Sequence, residues 1–353
     1  MSIKTNQESD YTLATQDSLL IKGLAICFML WHHLFYEHPE YGELVQYTAI
    51  LGKVCVAMFL FVSAYGLTVQ VEKKDSFTNI NQITWKELLD FYSKRFSKLY
   101  ANFWVVFIIF VPLGVFVFNR SLATSYGGNN IISSLLSDFL GFGGSESYNN
   151  TWWFYQLIIV LYLLYPLFYL TIKKWNVIIL VLFFLISGYH RFRIPIVHDW
   201  LFSFAIGVSC ALNKNSINQF LNLFNKQLSL ILAIVFIIVI AYVRGHLKRF
   251  GNIGMDGFFT LAWLLFILFT VRKIKILHSI FAFLGNHSMN IFLIHMFICY
   301  YFFSEFIYSF KYPILIFVVL LIISLSISVI LEFTKTKIGL YSLLNKININ
   351  TLK

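Results

Sequence analysis

Apolar residues in this chain gather into long runs separated by short polar breaks. Ten runs can be read, near 19–37, 50–71, 99–118, 153–172, 176–190, 197–213, 228–244, 257–271, 280–303 and 312–333. An apolar helix needs about 20 residues to cross the hydrocarbon core of a bilayer, with a range of about 17–25. The pattern therefore predicts an all-α fold, a polytopic transmembrane helix bundle of ten spans. The fifth and eighth runs are short and read as tilted, broken or re-entrant. Pro112, Pro166 and Pro195 fall within or at the ends of runs, where proline kinks or terminates a helix. The expected organisation is an N-terminal strip over 1–18, a transmembrane domain over 19–333 and a tail over 334–353. Residues 1–18 are polar and no small-residue cleavage site follows the first run, so no signal peptide is expected.

Composition strengthens this reading. Hydrophobic residues make up 59% of the chain and charged residues 12%, with a mean hydropathy of +0.74. Soluble domains carry about 25% charged residues, so this chain has too little charge to coat a water-facing surface. Disordered, collagenous and disulfide-scaffold classes are excluded by the same figures. The net charge of +11 would suit nucleic acid if it were clustered, but the basic residues sit in short loops between apolar runs. No nucleic-acid partner is expected; the partner implied is the membrane lipid itself.

The basic residues instead set an orientation, because cytoplasmic loops are enriched in Lys and Arg. With the N-terminus inside and ten spans, the outer side receives Lys53, Arg120, Arg191, Arg193, Arg244, Lys248, Arg249 and Lys311, and the inner side the other 19 of 27. Both termini are thus expected in the cytoplasm. The 119–152 loop, rich in Gly, Asn, Ser and Tyr, would face outward, and Trp152–Trp153 would join an interfacial aromatic belt. Its Gly127–Gly128 and Gly143–Gly144 pairs lack the context of a phosphate loop and read as flexible. Cys27, Cys55, Cys210 and Cys299 all fall in apolar segments without CxxC or Cys/His spacing. They read as small buried hydrophobes, and no metal site is expected.

Ionisable groups at membrane depth are the places to look for chemistry, since a central Lys or Arg costs roughly 2.5–3.5 kcal/mol to insert. The first run holds Lys22 near its inner end and His32 and His33 in its body. Eleven residues of helix turn through roughly 1,100°, about 20° past three turns, and rise about 16 Å. Lys22 and His33 therefore share one stripe, from which His32 points about 80° away. A cation at the inner mouth can hold a phosphorylated donor, and an imidazole halfway along can take a proton near neutral pH. Both histidines have a plain alternative as hydrogen-bonded helix-packing residues.

Other polar islands are open to two readings each. Arg191, Arg193 and His198 cluster where the fifth and sixth runs meet and could clamp an acceptor or form a solvated loop. Ser288 and His295 lie in the ninth run and suit helix packing equally well. Arg95 and Lys98 precede the third run and suit either phosphate contact or positive-inside anchoring.

Five segments, in order, resemble the integral-membrane acyltransferase family 3, whose members O-acylate bacterial glycans. IKGLAICFMLWHHLF is similar to the family's opening helix, a basic residue and a His with ten positions between them, and selects Lys22 and His33. GKVCVAMFLFVSAYGL resembles its second-span stretch through Val56, Phe59, Phe61 and Ser63. KRFSKLYANFW, TWWFYQLIIVLYLLYP and FLGNHSMNIFLIH resemble later motifs, the last through Gly285, Ser288 and His295. Lys22 departs from the family's usual Arg, replacing a planar fork by a point charge, and Ala64 stands where the family has Gly.

The resemblance implies an O-acyltransferase of a bacterial plasma membrane, with no resident cofactor. Acyl-CoA, most often acetyl-CoA, would be its cytoplasmic donor. The acceptor would be a sugar hydroxyl of a surface polysaccharide or a lipid-linked precursor. His33 would be general base or acyl carrier, Lys22 with Arg95 and Lys98 would hold CoA phosphates, and Arg191, Arg193 and His198 would orient the acceptor. His32, Ser63, Ser288 and His295 are secondary candidates. Some relatives carry an extracytoplasmic hydrolase-like domain; this chain would finish the transfer itself or hand on to a separate extracytoplasmic transferase. The rival from another class is a glycan or small-molecule transporter or flippase using the intramembrane His and Lys, although no inverted internal repeat is evident.

Overall fold

A computed structural model of the protein describes residues 10–74, 77, 84–128, 130–188, 197–246 and 254–344. These residues form helices joined by turns, with no strand among them. In chain order the helices are α1 (Thr15–Phe35), α2 (Glu43–Gly52), α3 (Cys55–Lys73), α4 (Trp85–Phe116), α5 (Leu122–Ser125), α6 (Ile131–Phe139) and α7 (Trp153–Gly188). They continue as α8 (Leu201–Leu212), α9 (Lys214–Asn222), α10 (Lys226–His246), α11 (Asp256–Phe269), α12 (Lys275–Met296), α13 (Ser304–Tyr308) and α14 (Pro313–Lys337).

All ten apolar runs are helical. Seven helical stretches, based on α1, α2–α3, α4, α7, α10, α12 and α14, are long and apolar enough to cross a membrane. The fifth run is the second limb of α7, beyond a break at Asn176 (φ 16°, ψ −90°). That limb, α8 and α11 are the short members, so the sixth run joins the fifth and eighth in falling below spanning length. Neither Pro112 nor Pro166 ends its helix: α4 and α7 both continue past them. Pro195 lies outside the described residues.

The third span begins 14 residues earlier than hydropathy predicts. Thr84 and Glu87 form a capping box, with the Thr84 hydroxyl accepting from the Glu87 amide and the Glu87 carboxylate accepting from the Thr84 amide. Such a box satisfies two of the free amides at a helix start, so the polar stretch 85–98 is helix rather than loop.

α1 sits at the centre of the bundle against α12. A Cβ at Gly23 would lie 1.9 Å from the Phe281 carbonyl oxygen, and one at Gly285 1.9 Å from that of Leu19. The two glycines thus let the backbones approach more closely than any larger residue permits, as small residues do between membrane helices. At the foot of α1, Asp17 pairs with Arg272 (3.1 Å), whose guanidinium also donates to the Asp10 carbonyl. Lys335 near the end of α14 is fully buried and donates to Asn102, Asn290 and Glu332 at 2.6, 2.7 and 2.9 Å. Asn290 lies two residues from Ser288, at the level of Lys22. The two ends of the described chain therefore reach the same end of the bundle, hereafter the inner end.

The 119–152 loop at the opposite end is packed. Asp138 is buried, and one carboxylate oxygen accepts from the Tyr126 hydroxyl (2.9 Å) and the Tyr148 amide (2.7 Å). Burial raises its pKa above the usual carboxylate range, against the opposing pull of these hydrogen bonds and of Arg120. Gly127 and Gly128 both take positive φ (68° and 79°) in the turn between α5 and α6, a conformation open to glycine at little cost. Trp152 is not part of a belt: it is buried, donates to the Leu293 carbonyl (3.3 Å) and packs edge-on against Phe103. Its neighbour Trp153 stacks on Trp200.

Candidate functional site

The stripe read on the first helix opens onto two compartments. His33, His32 and Tyr36 face an outer cavity of about 940 Å³, which Lys53, Arg244 and Tyr300 also line. Lys22 faces an inner pocket of about 140 Å³, with Ser63, Tyr155, Tyr162 and Ser288 as its other polar side chains. α1 thus spans from one chamber to the other, with the cation in the inner and the imidazole in the outer.

His33 makes no hydrogen bond through its ring among the described residues and lies against two other histidines. Its centroid is 5.0 Å from that of His295 and 5.1 Å from that of His32. His295 is fully buried, and its Nδ1 lies 2.8 Å from the Phe292 carbonyl and 3.2 Å from that of Ile291. A carbonyl only accepts, so Nδ1 carries the proton and the neutral ring presents a bare Nε2. That Nε2 has no partner among the described residues. An unpaired buried acceptor is expensive, and it sits beside the one histidine ring among the described residues that is not otherwise bonded. His32 is fixed differently: its Nδ1 lies 2.8 Å from the Ala49 carbonyl and its ring stacks on Tyr36. Directly beyond His295 the helix widens into a π turn over Phe297–Phe302, a distortion that recurs at functional sites.

The outer cavity is polar and built from distant parts of the chain. Arg244 and Asp256 form a buried pair (Nε–Oδ1 2.5 Å), and Arg244 also donates to the Ile50 carbonyl at 3.1 Å. This joins α2, α10 and α11 behind the cavity wall. Asn150 and Thr151 of the packed loop form part of the rim. Their position is held by Asn149, whose Nδ2 donates to the Leu293 carbonyl (3.3 Å) and whose Oδ1 accepts from Thr151. Lys53, Glu37, His38 and Tyr308, which sequence alone did not single out, complete the polar lining. No cluster of three or more His, Cys, Asp or Glu side chains suited to a metal occurs among the described residues.

The inner pocket is narrower and mostly apolar. Ser63 bonds the Tyr162 hydroxyl across it. Lys98, on the exposed side of α4, is near enough to act electrostatically on Lys22. Arg95 turns elsewhere: it donates to Gln70 (2.5 Å) and lines a separate small crevice with Lys74 and Lys94. His198 is buried where α7 meets α8; its Nδ1 is 2.9 Å from Asp199 Oδ1, and its carbonyl accepts from Ser187. It does not line the outer cavity. Arg191 and Arg193 lie outside the described residues.

The structure thus brings together Lys22, Ser63 and Ser288 at the inner pocket, with Lys98 nearby, and His32 and His33 at the outer cavity, with His295 buried against His33. No curated protein and no solved structure matches the chain at a significant level. A family model does, over residues 19–333, almost the whole helical region, and its description is that of an acyltransferase domain. The chain belongs to the acyltransferase 3 family and is a membrane acyltransferase.

Proposed function

We propose that the protein is an O-acyltransferase of a bacterial plasma membrane. It moves an acyl group, acetyl in the simplest case, from acyl-CoA to a sugar hydroxyl of a surface glycan or lipid-linked precursor. The observation that carries this reading is the placement of Lys22 and His33 on one stripe of α1, in chambers at successive depths. The excess of Lys and Arg in the loops of the inner end makes that end cytoplasmic. Both ends of the chain then lie in the cytoplasm with the donor.

CoA phosphates would be held at the inner mouth by Lys98 and Lys22 through charge-assisted hydrogen bonds, with Arg95 near the approach. The rise of about 16 Å from Lys22 to His33 is spanned by the extended pantetheine arm. The thioester carbonyl would then meet the acceptor in the outer cavity. His33 removes the proton of the acceptor hydroxyl as its oxygen attacks the carbonyl carbon. The C–S bond breaks, and CoA leaves as the thiol with the proton returned by His33. One ester forms for one thioester lost. The bare Nε2 of His295 would steady the N–H that His33 carries in this cycle.

Release of CoA from radiolabelled acetyl-CoA by purified protein in liposomes, with cell-envelope extract as acceptor, tests the reading. His33→Ala should lower acyl transfer by roughly 10²–10⁴-fold, the usual contribution of a general base, with the protein still folded. Full activity in that variant would overturn the role of His33. Absence of both acetyl-CoA binding and turnover in the wild type would point to transport instead.

A further inference from the structure

The two chambers meet at three phenylalanines. Phe59, Phe154 and Phe292 are the residues that line both the inner pocket and the outer cavity. Each comes from a different helix, and each sits at the same depth in its own. On α3, Ser63 lies one turn toward the inner pocket from Phe59, and Val56 and Cys55 lie one turn toward the outer cavity. On α7, Ile158 and Tyr162 lie inward of Phe154 and Thr151 outward. On α12, Ser288 and Met289 lie inward of Phe292, and Met296 and Cys299 outward. The rings touch in sequence: centroids are 6.1 Å apart for Phe59 and Phe154, and 5.2 Å for Phe154 and Phe292 in an edge-on arrangement. Phe292 is also 6.5 Å from the His295 ring. An aromatic layer therefore closes the inner pocket immediately below the histidines.

Resting on the donor assignment above, we propose that Phe59, Phe154 and Phe292 are the specificity-determining residues for the acyl group, and that they seal the thioester from water until the acceptor is in place. The physical reason is volume. A pocket of about 140 Å³ below the layer has little room beyond a thin chain, and packed aromatic rings yield poorly to extra methylenes. Phe154 and Phe292 meet edge to face with centroids 5.2 Å apart, which is contact, so the layer has no standing opening and rings must move aside for an acyl thioester to cross. An acyl group lodged among the displaced rings takes its volume from their packing, so each further methylene demands a larger displacement. The layer also keeps the wet outer cavity from reaching a thioester waiting in the inner pocket, which would otherwise be lost to hydrolysis. Three polar or small residues at these positions would have left one continuous channel.

The test compares acetyl-, propionyl-, butyryl- and hexanoyl-CoA with the full-length protein in liposomes, measuring transfer to cell-envelope extract and CoA release without it. The wild type should favour the short donors. Phe292→Ala and Phe154→Ala should raise the propionyl-to-acetyl transfer ratio on the order of tenfold, the usual scale of one-methylene discrimination in an apolar site. Both should also raise CoA release in the absence of acceptor. Phe59→Leu, Phe154→Leu and Phe292→Leu keep an apolar layer and should move the same ratio less but in the same direction. They decide the matter if an alanine variant fails to fold. Phe168→Leu, at a buried position that lines neither chamber, should leave the ratio unchanged. An active wild type whose donor ratio is the same in every folded Phe59, Phe154 and Phe292 variant would overturn the specificity role while leaving the acyltransferase reading intact. A wild type that releases no CoA from any donor would overturn both.

Discussion

The inner pocket and the outer cavity share one helix and differ in almost everything else. The inner pocket is small and mostly apolar, with a single lysine and two serines among its lining side chains, all supplied by five long helices. The outer cavity has more than six times the volume and carries three histidines besides Lys53 and Arg244. Its wall includes a turn, a packed loop and a buried ion pair. A narrow apolar chamber suits a substrate whose shape is always the same, such as a pantetheine arm. A wide polar one suits a partner recognised by many hydrogen bonds, such as a glycan. The difference shows where binding energy is available to each substrate, and perturbing each chamber should therefore disturb different kinetic constants.

The largest effect is expected at the boundary, from His33→Ala, as argued above. Next comes His295, which is a positioning residue and touches the reaction through His33. His295→Leu removes the bare Nε2 and should lower kcat roughly ten- to a hundredfold, a fraction of the full contribution of general base catalysis. KM for acyl-CoA should stay unchanged. His295→Gln, which restores an acceptor oxygen near the same place, should recover part of the loss. A purely structural role would predict that both variants fail alike, so equal loss in Leu and Gln would sink the assignment.

The inner chamber should respond in the opposite constant. Lys22→Ala removes a charge-assisted contact worth roughly 1.5–3 kcal/mol, partly replaced by Lys98. KM for acetyl-CoA should rise by about tenfold, or about 1.4 kcal/mol, with a smaller change in kcat. Lys22→Arg keeps the charge and should retain wild-type KM to within a small factor. Initial rates over a range of acetyl-CoA concentrations settle this; a loss in Lys22→Arg as large as in Lys22→Ala would point to a role other than phosphate binding.

These two chambers were unequally legible in the sequence. Lys22 and His33 could be placed on one stripe because helical geometry is local and needs no knowledge of neighbours. Ser63 surfaced only through a family motif; Ser288 and His295 stood out as polar positions in an apolar run, but nothing local distinguishes His295 from a packing histidine. What sets it apart is the carbonyl bond to Phe292 and the unpaired Nε2, both products of folding. Lys53, Arg244 and Asp256 are far apart in the chain and meet only when α2, α10 and α11 pack, so no spacing rule could join them. Trp152 looked interfacial because hydropathy cannot tell a ring facing lipid from one facing Phe103. The start of α4 was hidden for the converse reason: its polar first turns read as loop, although the Thr84–Glu87 capping box was there to be seen.

The smallest effect separates the two adjacent histidines and so sharpens the comparison most. His32 and His33 are the same residue type, one position apart, in the same cavity, and a contribution from general polarity would weigh on both equally. Their surroundings differ: His32 is tied to the Ala49 carbonyl and stacked on Tyr36, whereas the His33 ring has no hydrogen-bond partner among the described residues. His32 therefore holds α1 to α2, and its ring nitrogen on that side is committed. His32→Ala should lower stability by about 1 kcal/mol, the net worth of one such hydrogen bond, read as a small fall in the midpoint of thermal unfolding in detergent. Turnover should stay within roughly a factor of three of wild type, since no base is removed from the reacting hydroxyl. A loss in His32→Ala approaching that in His33→Ala would mean that the stripe geometry chose the wrong imidazole, and the proton path would then run along the outer wall toward Ala49 and Lys53 instead of across to His295.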